Sequence, residues 1–429
     1  MDPISTRIAL GAAGQGGEEF WILELSTSSG EDRGEGVVVD DDGNSYMCGG
    51  SEVSGISNAF FIKVDIDGAV TFQKGVRPTD SSLNKFYSIC KKDTVIYCVG
   101  QVAESSNYAY YITRYTTSGS ILWDKKITPC DFFDRLFACD IDNSNNLHIL
   151  GKDGNYWYHL KYNSSGTLLW QRITGSSSSL SSAEDLAVNP TNGNVYCVGD
   201  IVQDRAALRQ ISASSNSSPS GGWERIIGQS TSEREAFYGV KVDTSGNVYV
   251  VGRTDSGSSS EALIMKFNSS GTVQWQRTLD GTSYQSWDCI AVDYDTGESY
   301  VAGTSSTTLG MILAKYSSSG TLEWQREIEH STDRLDPYGI AISSTGALHI
   351  VGQKGSTNYD AFNIKIPEDG SLIGTYGSYT YSAISFTDAA ASEPINNDTV
   401  SILEPVNTSA DISATTSNLS LTSSLIDLS

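Results

Sequence analysis

A glycine returns at near-constant spacing along this chain. Gly49, Gly100, Gly151, Gly199, Gly252, Gly303 and Gly352 each close a short apolar run. Six intervals cover 303 residues (352 − 49), a mean period of about 50, which suits a unit of four short strands. The unit is cleanest from Gly239 to Thr278, where GVKVDTSGNVYVVGRT is followed by a polar loop and ALIMKFNSSGTVQWQRT. Alternating β-branched and aromatic residues between Gly, Ser, Asn and Asp turns mark antiparallel strands rather than helices. A second signal keeps the same period: Gly-x-x-x-Trp in GSILW (Trp123), GTLLW (Trp170), GTVQW (Trp275) and GTLEW (Trp324). Phe72 fills the slot in GAVTF, and Trp223 fills it in a longer, irregular copy. Seven such units predict an all-β chain folded as a seven-bladed β-propeller of four-stranded antiparallel blades. The blades would bury one another and leave only short edges.

The two ends of the repeat predict how the ring closes. Trp21, in FWILEL from Phe20 to Leu25, lies 51 residues before Phe72, and Phe72 lies 51 before Trp123. The last copy reads GSLIG, with Gly374 where the aromatic residue belongs. The N-terminal strand is therefore expected to supply the outer strand of the seventh blade. The reading divides the chain into an arm (1–19), a propeller (20–374) and a C-terminal tail (375–429). The aromatic residues Trp21, Phe72, Trp123, Trp170, Trp223, Trp275 and Trp324 are expected to pack between blades.

The repeat GNVYVVGRT followed by LIMKFNSSGTVQW resembles the bacterial β-propeller repeat family, over roughly residues 20 to 374. Its Gly-x-x-x-Trp outer strand is similar to the tryptophan-docking motif of quinoprotein-type propellers. That resemblance implies the fold. No ring-spanning pocket motif for a quinone is found, so no cofactor is carried over.

Charge narrows the function. With 28 Lys and Arg against 51 Asp and Glu, the chain carries a formal charge of −23, which opposes nucleic-acid binding. No apolar run approaches the ~20 residues of a membrane-spanning helix. The opening MDPISTRIALGAAGQGG lacks a charged region followed by an apolar core, so it is not read as a secretion signal. The seven cysteines are scattered, and Cys48, Cys98 and Cys197 fall where other copies carry Val or Ala. Small buried hydrophobes in a reducing cytoplasm fit that pattern better than a disulfide framework.

DDDGN (Asp40 to Asn44) and DIDG (Asp65 to Gly68) could be calcium loops, but the further oxygens and distal bidentate carboxylate are missing. Hairpin turns are expected instead, and no metal. NSS at Asn163, Asn216 and Asn268 matches a glycosylation pattern and also a turn.

Longer, variable loops such as CDFFDRLF, SEREAFYG, SYQSWDC, KDGNYWY and STNYDAF gather at the opposite face. They place Tyr108, Phe132, Phe133, Tyr156, Trp157, Trp287, Tyr338 and Tyr359 on one rim, a set suited to glycan or protein contact, or to capping the blade tops. An acid–Arg pair recurs there, at Asp32–Arg33, Asp134–Arg135, Glu233–Arg234 and Asp333–Arg334. Salt bridges between blades are its plainer reading; Arg135, Arg234 and Arg334 are also rim candidates. No catalytic triad, metal-spaced set or phosphate loop is found, so no enzyme activity is expected.

The 64 residues after Lys365 contain eight acids and no Lys or Arg. They have too few large apolar side chains for a core, yet alternate in places like a strand. The tail and arm are therefore expected to pair with other subunits in a homo-oligomer or multi-copy assembly. The leader resembles the short N-termini of virion proteins of tailed phages of marine cyanobacteria. That resemblance implies a virion structural protein, assembled in the host cytoplasm and held by residues 1–19 and 375–429 to other virion proteins. The ring would then be free to meet a host-surface glycan or protein. A bacterial surface or periplasmic propeller that binds sugar or protein is the alternative.

Overall fold

The structure is a computed structural model. It describes residues 6–8, 20–26, 31–53, 56–76, 84–104, 107–130, 135–153, 156–174, 182–201, 205–212, 222–228, 234–256, 259–280, 284–356, 358–391, 393, 395–396, 415–417 and 425–427.

Seven antiparallel sheets follow one another in chain order. Blade 1 runs through Arg33–Val39, Ser45–Val53, Ile56–Val64 and Val70–Val76, and blade 2 through Asn84–Lys92, Val95–Glu104, Asn107–Thr116 and Ile121–Cys130. Blade 3 comprises Leu136–Ile141, Leu147–Asp153, Tyr156–Tyr162 and Leu168–Thr174; blade 4 comprises Ser182–Val188, Val195–Ile201, Arg205–Ile211 and Gly222–Ile227. Blade 5 spans Glu235–Val242, Val248–Ser256, Ser259–Phe267 and Val273–Asp280, and blade 6 spans Gln285–Val292, Ser299–Ser305, Met311–Tyr316 and Leu322–His330. Blade 7 takes Leu335–Ile342, Ala347–Lys354 and Asp360–Pro367, and its outer strand is Trp21–Leu25, with Trp21 opposite Lys365. The expected closure is therefore found.

The turns explain why the strands reverse where they do. In DDDGN the Asp40 carboxylate accepts the backbone N–H of Asn44 at 2.9 Å and of Asp42 at 3.1 Å, the Asn44 amide at 3.0 Å and the Tyr46 hydroxyl at 2.9 Å. Burial alone would push this carboxyl up, but those bonds outweigh it and hold it below its ordinary value. Asp65 accepts the N–H groups of Asp67 and Ala69 at 3.1 and 2.7 Å. Both calcium-like stretches are thus Asx-stabilised hairpin turns.

The core is a ring of interfaces rather than one centre. Each of the seven hydrophobic clusters joins two neighbouring blades. The cluster that seals the ring puts Trp21, Leu23, Leu25, Val351 and Ala361 of blade 7 against Val37, Met47, Phe60, Ile62 and Val64 of blade 1. A fully buried side chain of this size contributes about 1.5–3 kcal/mol. Five outer-strand tryptophans tie their blade to the next. The indole Nε1 of Trp21, Trp123, Trp223, Trp275 and Trp324 donates at 3.1–3.2 Å to a carbonyl in the following blade's last turn: Ile66, Ser164, Ser269, Ser318 and Glu368 respectively. The ring lies over that turn's glycine, which has φ near +80° in Gly68, Gly166, Gly271 and Gly320. Phe72, with no N–H, lies over Gly119 in the same way. The six described free cysteines are buried.

The termini continue the sheets outward. Thr6–Ile8 pairs with the far side of Trp21–Leu25, making a fifth strand on blade 7. The tail then runs backwards around the ring. Tyr379–Ala383 pairs with the outer strand of blade 6, Thr387–Ala390 with blade 5 and Ile395–Asn396 with blade 4. Thr415–Ser417 pairs with blade 2 and Leu425–Asp427 with blade 1. The described tail strands thus find their edges on their own chain, where the sequence reading sought them on other subunits. A strand of two to five residues gains little from its own side chains, so the ladder of an existing blade supplies the order. Tyr379 and Tyr381 are fully buried there, and Phe20 stacks on Tyr376 at 4.5 Å.

Candidate functional site

Every inner strand carries a β-bulge at the same place. The register slips between Gly34 and Gly36, Phe86 and Ser88, Leu136 and Ala138, Ala183 and Asp185, Phe237 and Gly239, Trp287 and Cys289, and Pro337 and Gly339. The repeating glycine explains how the sheet tolerates this. A Cβ on any of the seven would lie 1.8–2.6 Å from an inner-strand carbonyl oxygen, so only glycine lets the two backbones approach.

Each bulge leaves one unpaired residue at the axis: Glu35, Tyr87, Phe137, Glu184, Tyr238, Asp288 and Tyr338. All seven are half-buried. They sense one another across blades. Tyr87 and Phe137 have ring centroids 6.2 Å apart, Tyr238 feels the charges of Glu184 and Asp288, and Tyr338 feels those of Glu35 and Asp288. A bulge re-aims a side chain without breaking the sheet, and here it aims seven into one axial channel.

The channel has a distinct electrostatic character. Burial pushes the Glu184 carboxyl up to about 7, helped by Asp200 and Asp185 and opposed by the Ser182 hydroxyl and Lys152. Burial likewise raises Asp288 to about 7, with Asp336 adding to it while Ser286, Thr304 and Arg334 oppose it. Burial also raises Tyr87, Tyr238 and Tyr338, so their phenols stay neutral. Cations come in from the strand ends. Lys85 pairs with Glu35, and Arg135 lies 5.3 Å over the Tyr87 ring. Between blades 4 and 5 the wall opens into a cavity of about 140 Å³, lined by Ser182, Glu184, Asp200, Arg234, Tyr238 and Arg253 among others. Arg253 stacks 5.1 Å over Tyr284. This wall offers donors, acceptors and aromatic faces to one small polar group.

The rim set from the sequence is only partly assembled. Tyr338 stands in the channel ring, while Tyr108, Tyr156 and Tyr359 are half-buried and Arg234 is exposed. Trp157 and Trp287 do not belong to a contact surface: they are 1% and 0% exposed. The strands begin earlier than the loop reading placed them, and alternation turns both side chains inward. Trp287 directly precedes the blade 6 bulge, and Trp157 packs against Gly199 with the Arg209 guanidinium 4.4 Å over its ring. Phe132, Phe133, Asp134 and Glu233 lie outside the described residues.

Of the recurring acid–Arg pairs, Arg33, Asp333 and Arg334 have described contacts. Arg33 reaches Glu31 at 3.4 Å and stacks 4.7 Å over Tyr359 of blade 7; Arg334 bonds Asp336 within its own blade at 2.6 Å. Asp333 instead meets His330 at 3.0 Å. Cation–π contacts of Arg33 and Arg135 link blades. Sequence reasoning missed Glu35, Tyr87, Phe137, Glu184, Tyr238 and Asp288. Their signal was a fixed offset of 13–15 residues before the repeating glycine.

No protein-family model matches the chain, and no curated protein matches it. Solved structures match in fold. Hydrazine synthase of Kuenenia stuttgartiensis aligns with a TM-score of 0.53 at 12% identity, over 76% of this chain and 94% of that one. A protein of unknown function from Bacteroides caccae gives 0.41 at 11% identity, over 69% and 93%. Another from Dyadobacter fermentans gives 0.45 at 11%, over 65% and 93%.

Proposed function

We propose that this protein is a non-catalytic contact protein of a tailed-phage particle, presenting a rigid ring to a glycan or protein on another surface. The observation that carries the contact reading is the inequality of the seven bulge positions. They are equivalent in backbone, yet hold Glu, Asp, Tyr and Phe, while the glycines facing the bulges do not vary. Side chains freed from packing and diversified around one axis are what recognition uses, and a stiff scaffold keeps them in place. The cavity beside Glu184 and Arg253 gives that surface a recess of about 140 Å³. The particle assignment draws on the resemblance of the leader, whose residues lie outside the described set except Thr6–Ile8. In the particle, residues 1–19 and 375–429 are the segments that meet other virion proteins.

Mass spectrometry of purified virions is the first test. The protein should be found in many copies per particle, and its absence would overturn the assignment. Contact is tested on immobilised host-envelope polysaccharide and envelope protein. Arg253→Ala should weaken retention about tenfold with unchanged melting. Equal retention of that variant, or release of oligosaccharide from the polysaccharide, would overturn the contact or the non-catalytic reading respectively.

A further inference from the structure

Two outer strands hold the tail with the same device. On blade 6 the Gln325 side-chain amide donates to the Phe386 carbonyl at 3.0 Å, and its oxygen accepts the Phe386 N–H at 2.7 Å. On blade 5 Gln276 does the same to Glu393, at 3.4 and 3.0 Å. In both cases the gripped residue is the third past the one facing the neighbouring arginine: Ala383 faces Arg326, and Ala390 faces Arg277. A glutamine side chain carries the donor and acceptor of a peptide unit, so it adds one rung after the strands diverge.

Each of these glutamines follows the outer-strand aromatic residue, and blade 1 has the same arrangement in Phe72-Gln73. Gln73 is 8% exposed, and its side-chain oxygen has no hydrogen-bond partner among the described residues. Blades 2, 3 and 4 fill this place from within. Tyr111 donates to Asp124 at 3.1 Å in blade 2, Tyr158 donates to Gln171 at 2.8 Å in blade 3, and Arg209 takes Glu224 in blade 4. Blade 1 has Phe60 where those tyrosines stand, two residues before the partner of Gln73, and a phenyl ring has no hydroxyl to give.

We propose that Gln73 is a third backbone clamp of this series, and that its occupant is an extended tail strand from a second copy of this chain. The incoming strand would replace Leu425–Asp427 along Lys74–Val76, a pairing of only three residues, and run on into the clamp. Charge favours the match, because Lys63 and Lys74 flank the site and the tail beyond Lys365 carries eight acids and no base. The inference rests on reading the tail as an assembling segment.

The test uses full-length protein and a fluorescein-labelled synthetic peptide of residues 379–396, which contains both gripped residues. Fluorescence anisotropy should show saturable binding, weakened about tenfold by Gln73→Ala. Gln73→Met, which keeps the shape and removes both polar atoms, should weaken it equally and melt like the parent. The double variant Gln276→Ala/Gln325→Ala should still bind the peptide. Sedimentation across a concentration series should show reversible self-association that Gln73→Met abolishes. No saturable binding, binding unchanged by Gln73→Met, or binding lost only in the double variant would each overturn the proposal. Virion proteomics is independent of these readouts, so either result can fail alone.

Discussion

Trp275 of blade 5 and Trp170 of blade 3 occupy the same slot and are held in different ways. Trp275 gives its Nε1 hydrogen to Ser318 at 3.1 Å and lies over Gly320, while Arg277 adds a bond to the Gly320 carbonyl at 2.8 Å. Trp170 faces blade 4, whose last turn is the long irregular copy, residues 213–221 of which lie outside the described set. Its Nε1 has no partner among the described residues. The ring instead meets the edge of His159 at 4.8 Å, within a buried group in which Asp142 binds His148 at 3.2 Å and Lys161 at 3.0 Å. Docking in blade 5 thus rests on the next blade's turn as well as on the tryptophan. In blade 3, titratable side chains pack against the ring.

The largest effect should come from breaking the docked arrangement. Gly320→Val places a β-branched residue at φ +81°, with a Cβ 2.6 Å from the Trp275 ring. Strain and clash together should cost about 3 kcal/mol or more, read by chemical unfolding. A loss under about 1 kcal/mol would mean that the turn does not determine the docking.

Acid should single out blade 3 next. Burial lowers His159 well below its ordinary value, with His148 and Lys161 adding to it, and burial lowers His148 against the pull of Asp142. A histidine whose folded pKa lies below its unfolded value, about 6.5, favours the neutral form in the fold. Its contribution is complete above pH 6.5 and is lost as pH falls further. His349 in blade 7, lowered to about 3 by burial and Lys365, has the same sign over the window from about 6.5 to 3. His159→Leu installs the residue type that blades 4 and 6 carry there, Leu208 and Leu313. Melting of this variant should fall less steeply than the parent's below pH 6.5; parallel curves would remove His159 from the account.

The smallest contrast is the sharpest. Trp275→Phe removes one hydrogen bond and should cost about 1 kcal/mol, whereas Trp170→Phe has no such bond to lose among the described residues and should cost less than about half of that. Equal losses would show that the indole hydrogen contributes nothing to docking.

Much of this frame was legible in the sequence because it repeats. The glycine spacing gave the blade count, and the register of Trp21 against Phe72 and Trp123 placed the closing strand. The bulge ring was not read, although its glycines were, because a slipped pair is a property of two strands and leaves no residue type of its own on the inner one. The tail was read as strand-like, but its partners on the same chain were not: Thr387–Ala390 and Thr415–Ser417 are too short to show a period, and they pair with backbone edges. The rim was half-read because strand ends were placed too late, so Trp157 and Trp287 were taken for loop residues.

The closing strand has a consequence for the order of events during synthesis. Trp21 pairs with Lys365, 344 residues later (365 − 21). At roughly 5–20 residues per second, this strand waits about 20–70 s for its blade 7 partner. Blades 1 to 6 can form hairpin by hairpin in that interval, while FWILEL, with only Thr6–Ile8 to pair with, keeps its blade 7 edge open beside the growing ring. The tail follows and first meets blade 6, one of the most recently completed, before passing to older blades. Ring sealing and belting thus both wait for residues made after the six earlier blades, and a nascent chain stalled before residue 360 would present an open blade and an unmatched strand edge to any chaperone nearby.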